Sequence, residues 1–237
     1  KFIMAYTTIK KPSDYFNTKL YTGNGGTNAI TGVGFQPDWV WVKGRTNAPN
    51  HYLFDSVRGV QKNIHSNTND AEATGANTLT AFGSDGFTLG SDGDPNGSGQ
   101  NYVGWNWLAN GAGSANTDGS ISSTVSANTT SGFSIVSYTG TGANATVGHG
   151  LGSVPSMMIF KNRSAVKGWS VYHNSLGATK FIFMNETNLA ETSSTMFNNT
   201  APTSSLFTVG TDLATNVSGN NYIAYCFAEK QGYSKFG

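Results

Sequence analysis

Phe35-Gln-Pro37-Asp-Trp39-Val-Trp41-Val-Lys43-Gly-Arg45 is the stretch on which the fold turns. Trp39 and Trp41 alternate with Val40 and Val42, so both faces of the segment are apolar, as expected for a strand lying between two layers. A polar break from Gly44 to Asn50 ends it, and His51-Tyr52-Leu53-Phe54 resumes the strand pattern. The same stretch returns as Ser153-Val-Pro155-Ser-Met157-Met-Ile159-Phe-Lys161-Asn-Arg163. Tyr21-Thr-Gly-Asn-Gly25 returns as Tyr138-Thr-Gly-Thr-Gly142, and Phe87-Thr-Leu-Gly-Ser-Asp92 as Phe207-Thr-Val-Gly-Thr-Asp212. The offset is 117 residues at Tyr21, 118 at Pro37 and 120 at Asp92, so loops lengthen while the order of elements is kept. Such long-period similarity predicts two copies of one unit, each large enough to bury a core.

Each copy closes on a strong strand signal, Asn101-Tyr-Val-Gly-Trp-Asn-Trp107 and Asn221-Tyr-Ile-Ala-Tyr-Cys-Phe227. No segment sustains a helical period; Asp70-Ala-Glu72-Ala and Leu189-Ala-Glu191-Thr would make one turn at most. The expected fold is all-β, with two tandem β-sandwich domains of jelly-roll or concanavalin-like type. The first spans residues 1–111 and the second 131–237, joined by a Gly- and Ser-rich linker over 112–130. Trp39/Met157, Trp41/Ile159, Trp105/Tyr225 and Trp107/Phe227 are expected to form each domain's own core. The single cysteine, Cys226, stands where the first copy has Asn106 and reads as a small core residue.

Charged residues are only 11% of the chain and the formal net charge is +1, with no Lys/Arg cluster, so nucleic acid is not an expected partner. The apolar runs Val154–Phe160 and Tyr222–Phe227 are too short for a membrane-spanning helix, and no membrane insertion is expected. No charged n-region with an apolar h-region opens the sequence, so a Sec-type route is not expected either. A start at Lys1 reads as a fragment or as an extension ahead of Met4.

Charges at matching positions, Lys43/Lys161, Arg45/Arg163, Lys62/Lys180, Glu72/Glu191 and Asp92/Asp212, read as turn caps and ion pairs, because a catalytic pair is not usually doubled. Asp55 is matched to Asn174. Of the four histidines, none is spaced as a zinc site, and surface or turn positions are expected. Asp92-Gly-Asp94-Pro-Asn96-Gly97-Ser98 has the oxygen spacing of the first half of a calcium loop but lacks its closing acid, Val103 standing there. A polar hairpin is the preferred reading, with calcium through Asp92, Asp94, Asn96 and Ser98 as the alternative; no other cofactor is expected. Asn47, Asn50, His51, Tyr52 and Trp169 lie in or beside strand-joining loops and pair aromatic faces with amides, the chemistry of a sugar site.

Tyr6-Thr-Thr-Ile-Lys-Lys-Pro-Ser-Asp-Tyr-Phe-Asn-Thr-Lys-Leu-Tyr-Thr-Gly-Asn-Gly25, Gly34–Lys43, Leu53-Phe-Asp-Ser-Val-Arg-Gly59 and Ala224-Tyr-Cys-Phe-Ala228 together resemble an uncharacterised repeat family of virion proteins from marine bacteriophages. The resemblance implies a concanavalin-like sandwich on the particle surface, in a tail fibre, appendage or head decoration. Its expected partners are other virion proteins or copies of itself, with a host-surface glycan as a further contact. It implies no catalytic residue. Tyr233-Ser-Lys-Phe-Gly237 also looks like the Tyr-x-Lys-x-Gly piece of alginate lyases, but the companion Arg-x-Glu and Gln-x-His strands are missing, which leaves a polysaccharide-active enzyme as a remote alternative.

Overall fold

A computed structural model describes residues 6–237. Lys1 and Met4, on which the reading of the sequence's start rested, lie outside them. The first half runs β1 (Phe16–Thr22), β2 (Asn28–Ile30), β3 (Trp39–Gly44), β4 (Tyr52–Asp55), β5 (Lys62–His65), β6 (Ala73–Thr74), β7 (Leu79–Gly83), β8 (Gly86–Leu89), the single helical turn α1 (Gly93–Asn96) and β9 (Asn101–Trp107). Then follow β10 (Ser114–Asn116), β11 (Ser123–Asn128), β12 (Phe133–Thr139), β13 (Ala145–Gly148), β14 (Met157–Asn162), β15 (Ser170–His173), β16 (Lys180–Phe183), β17 (Glu191–Thr192), the turn α2 (Ser194–Phe197), β18 (Leu206–Val209) and β19 (Asn221–Phe227). The chain is all-β, built from antiparallel sheets.

A six-stranded sheet has the order β1-β9-β3-β4-β5-β6, and an eight-stranded sheet the order β10-β11-β12-β19-β14-β15-β16-β17. From β12 onward the second order repeats the first. The registers agree as well: Trp39 faces Trp107 and Trp41 faces Trp105 in one sheet, while Met157 faces Phe227 and Ile159 faces Tyr225 in the other. Even the entry is shared, since the N–H after Pro37 bonds Trp107 O at 2.8 Å and the N–H after Pro155 bonds Phe227 O at 2.7 Å.

Strand alternation then assigns the faces. Val40 and Val42 point from β3 into a core closed by the small sheet β2-β8-β7, with Ile30, Leu79, Phe87 and Leu89. Met158 and Phe160 point from β14 into the corresponding core beneath β13-β18, where Cys226 is buried as expected. The aromatic positions expected to form each core lie elsewhere. Trp39, Trp41 and Trp107 join Phe133, Ile159, Tyr225 and Phe227 in one cluster between the two large sheets. Trp39 stacks on Tyr225 at 4.2 Å and tilts against Trp107 at 4.4 Å. Four layers result, and the tryptophans form the seam. Trp105 is only half-buried, meeting Trp41 edge-on at 6.2 Å.

The segment 112–130, expected to be a flexible linker, contains β10 and β11, which extend the second sheet past β12. Ile121 and Val125 bury into its outer core and Ser126 Oγ accepts the Asn110 N–H at 2.8 Å, so the segment is packed and paired despite its small polar residues.

Candidate functional site

Repeated side-chain brackets hold the turns of both halves. The Asn96 carboxamide is fully buried. Its oxygen accepts the Asn24 N–H at 3.1 Å and Asn28 Nδ2 at 2.8 Å, and its nitrogen donates to Gly26 O at 2.7 Å and Gly90 O at 2.8 Å. Asn216 does the same, accepting the Thr141 N–H at 2.7 Å and donating to Ala143 O at 2.6 Å and Gly210 O at 2.7 Å. The Tyr-Thr-Gly-x-Gly turns are the segments so clamped. These bonds engage both ends of the Asn96 carboxamide, which favours the polar-turn reading over calcium. Asp92 Oδ1 caps α1 through the Asp94 N–H at 3.0 Å, Asp94 accepts the Tyr52 hydroxyl at 3.0 Å, and Ser98 lies exposed. The oxygen spacing that resembles a calcium loop is that of a capped turn. Among the described residues no cluster of three or more His, Cys, Asp or Glu could hold a metal ion.

The proposed sugar-binding residues are likewise dispersed. Trp169 is fully buried in the seam and its indole N–H bonds His65 O at 2.8 Å. Tyr52 is buried on β4, where it packs edge-on against His65 at 4.4 Å. Both belong to cores, because the other half or the small sheet covers the loops they border. Tyr52→Phe is expected to cost about 1 kcal/mol in denaturant unfolding through loss of the Asp94 bond. Asn47 Nδ2 donates to the Tyr102 hydroxyl at 3.4 Å. Among the histidines, His149 departs from expectation: it is fully buried and lies 3.1 Å from Thr203 O.

His51 does reach a cleft, of about 400 Å3, that both halves line. Trp41 and His51 form one side, with Asn67 from the turn after β5; Met184, Asn185, Glu186 and Thr187 follow β16 on the other. The turns are matched, since Asn67 Oδ1 accepts the His51 N–H at 2.8 Å and Asn185 Oδ1 accepts the Trp169 N–H at 2.7 Å. Asn50 stands at the edge, accepting Asn67 Nδ2 at 2.9 Å. The Trp41 indole can only donate, so its 3.0 Å bond to His51 Nδ1 puts the neutral ring's proton on Nε2. Burial, reinforced by the charge of Lys43, lowers the His51 pKa, so the ring is neutral at pH 7. Glu186 and Thr187 are exposed at the rim. An aromatic wall, carboxamides, a carboxylate and a hydroxyl thus share one opening. Sequence reasoning missed Trp41, Asn67, Asn185 and Glu186, although the Asn67/Asn185 pair sits at the repeat offset of 118.

A buried polar network also ties the halves. Asp55 and Arg58 form an ion pair whose side chains are wholly buried, and the Tyr225 hydroxyl donates to Asp55 Oδ2 at 2.7 Å. Arg58 continues to Glu72 at 3.2 Å, which receives both Nε and Nη2 of Arg163 at 2.8 and 2.9 Å. Glu72 is therefore a clamp between halves. In strand register its counterpart is Ala190, not Glu191, because Lys62 pairs with Thr74 as Lys180 pairs with Thr192. By the same register Asp55 corresponds to His173 rather than Asn174.

One family model, described as Domain of unknown function (DUF7483), matches residues 11–237. The chain belongs to that family, whose matched region includes both halves and the seam between them. Neither the curated proteins nor the solved structures yield a significant match.

Proposed function

We propose that this chain is a bacteriophage virion surface module acting by assembly and adhesion, and that the cleft between Trp41-His51 and Asn185-Thr187 contacts a glycan on the host. The observation that carries the glycan contact is the composition of that cleft: an aromatic wall facing amides, a carboxylate and a hydroxyl. The phage setting rests on the resemblance of the long motifs quoted above. We further propose that the halves are duplicated sandwiches of jelly-roll or concanavalin-like type. Shared strand order, shared register and the paired Asn96/Asn216 brackets support that reading.

A glycan array probed with the chain and with its oligomer tests the adhesive role. Glu186→Ala is expected to weaken any bound glycan about tenfold while leaving the melting temperature unchanged, since the side chain is exposed. No signal from either form would sink the glycan contact. The second reading, a purely structural fibre or decoration unit docking through an open sheet edge, meets edges of two kinds, since β1 is seven residues long with Leu20 exposed while other edges are short. β6 and β17 have two residues each, and the outer side of β1 carries Lys19 and a Thr18 N–H bonded to Asn17 Oδ1 at 2.9 Å. Imaging the intact particle separates the two readings through the presence or absence of symmetric neighbours at these edges.

A further inference from the structure

The polar groups of the rim cleft have their roles fixed by their partners. A backbone N–H can only donate, so the 2.7 Å bond from the Trp169 N–H identifies the oxygen end of the Asn185 carboxamide and leaves Nδ2 as its open end. The Trp41 indole fixes the His51 ring in the same way, leaving Nε2–H as an open donor. Asn67, by contrast, has both ends engaged, on the His51 N–H and on Asn50. Glu186 accepts Asn188 Nδ2 through Oε2 at 3.3 Å, and its Oε1 is open among the described residues. Ser66 and Thr187 add hydroxyls. None of these open groups is sealed from solvent. Glu186 carries the one formal charge among the described residues that line the cleft, since His51 is neutral. Lys43 commits its ammonium to Pro49 O at 2.8 Å, Lys167 holds its own over the Phe183 ring at 5.2 Å, and neither lines the opening.

We propose, resting on the glycan contact above, that this cleft selects an uncharged sugar, held through neighbouring hydroxyls that accept from His51 Nε2–H and Asn185 Nδ2 and donate to the Glu186 carboxylate. A hydroxyl both donates and accepts, so two on one ring can serve all three groups. A uronate, sialate or sulfate only accepts, and its charge would sit beside Glu186 with no cation lining the cleft to offset it. An ammonium only donates, so one paired with Glu186 offers nothing to the two N–H groups. Trp41 supplies the apolar surface against which a sugar ring packs.

The experiment probes an array of neutral, acidic and free-amine glycans with the unmodified chain, then titrates the tightest binder into the 15N-labelled chain. Neutral glycans are expected to dominate, with saturable shifts of the Asn185 side-chain amide and the Trp41 indole N–H. Asn185→Asp keeps the acceptor for the Trp169 N–H but loses the open donor, and should weaken the neutral binder about tenfold. Acidic or free-amine glycans that bind as tightly as neutral ones overturn the proposed selectivity and leave the glycan contact standing. Shifts that miss Asn185 and Trp41 overturn it by placing the sugar outside the cleft. Silence across all three classes removes the selectivity and the glycan contact together. The comparison of classes uses the unmodified chain alone, so it decides the matter even where a substitution prevents folding.

Discussion

Arg58→Ala is expected to destabilise the chain by about 3–5 kcal/mol, measured by urea unfolding, because it strands the buried Asp55 carboxylate. Burial by itself would lower the Arg58 pKa, but the Asp55 carboxylate more than offsets this and the guanidinium stays charged. Asp55 would keep only the Tyr225 hydroxyl as a side-chain partner. The network also sets a pH dependence. Burial works to raise the Glu72 pKa, yet the hydrogen bonds from Arg163 and the charge of Arg58 hold it below the ordinary glutamate value. A carboxylate with a depressed folded pKa adds stability that is present above the unfolded value, about 4.3, and is lost as the pH falls through the folded value. Stability should therefore decline below about pH 4.3, with Glu72→Gln removing that part of the decline and lowering stability at pH 7.

Asn96→Ala is the second large effect, about 3 kcal/mol or more by the same measurement. It leaves Gly26 O and Gly90 O without their donor and the Asn24 N–H without its acceptor, each costing about 1–3 kcal/mol where buried. Asn96→Asp should be nearly as severe despite its equal size, because a carboxylate cannot donate to two carbonyls. Calcium should leave the unfolding midpoint of both the parent chain and Asn96→Asp unchanged. A rise with calcium would restore the metal reading of Asp92 to Ser98.

Strand positions were legible because alternation and the offsets of 117 to 120 mark them independently of context. Less legible was which apolar face belongs to which core. On β3 both faces are apolar, and only the arrival of the second sheet decides that Trp39 faces a seam while Val40 faces its own half's core. The matching of Glu72 with Glu191 failed by a single residue, and in a strand a slip of one exchanges the faces. Trp169 shows the same limit at the candidate site. Its sequence neighbourhood resembles a loop rim, but His65 O and the opposite half enclose it. Asn67 and Asn185 carried a readable signal in their spacing, whereas their convergence with Trp41 depends on how the halves meet.

The one-sidedness of the network across the seam constrains inheritance. Asp55, Arg58 and Glu72 have counterparts His173, Leu176 and Ala190, while the Tyr225 hydroxyl has its counterpart in Trp105, which carries none. A chimera of two second halves would lack every acid of the clamp, and one of two first halves would leave Asp55 without its hydroxyl. Neither half can be shuffled, replaced or drift alone, so a mutation accepted in one is filtered by the residue already fixed in the other.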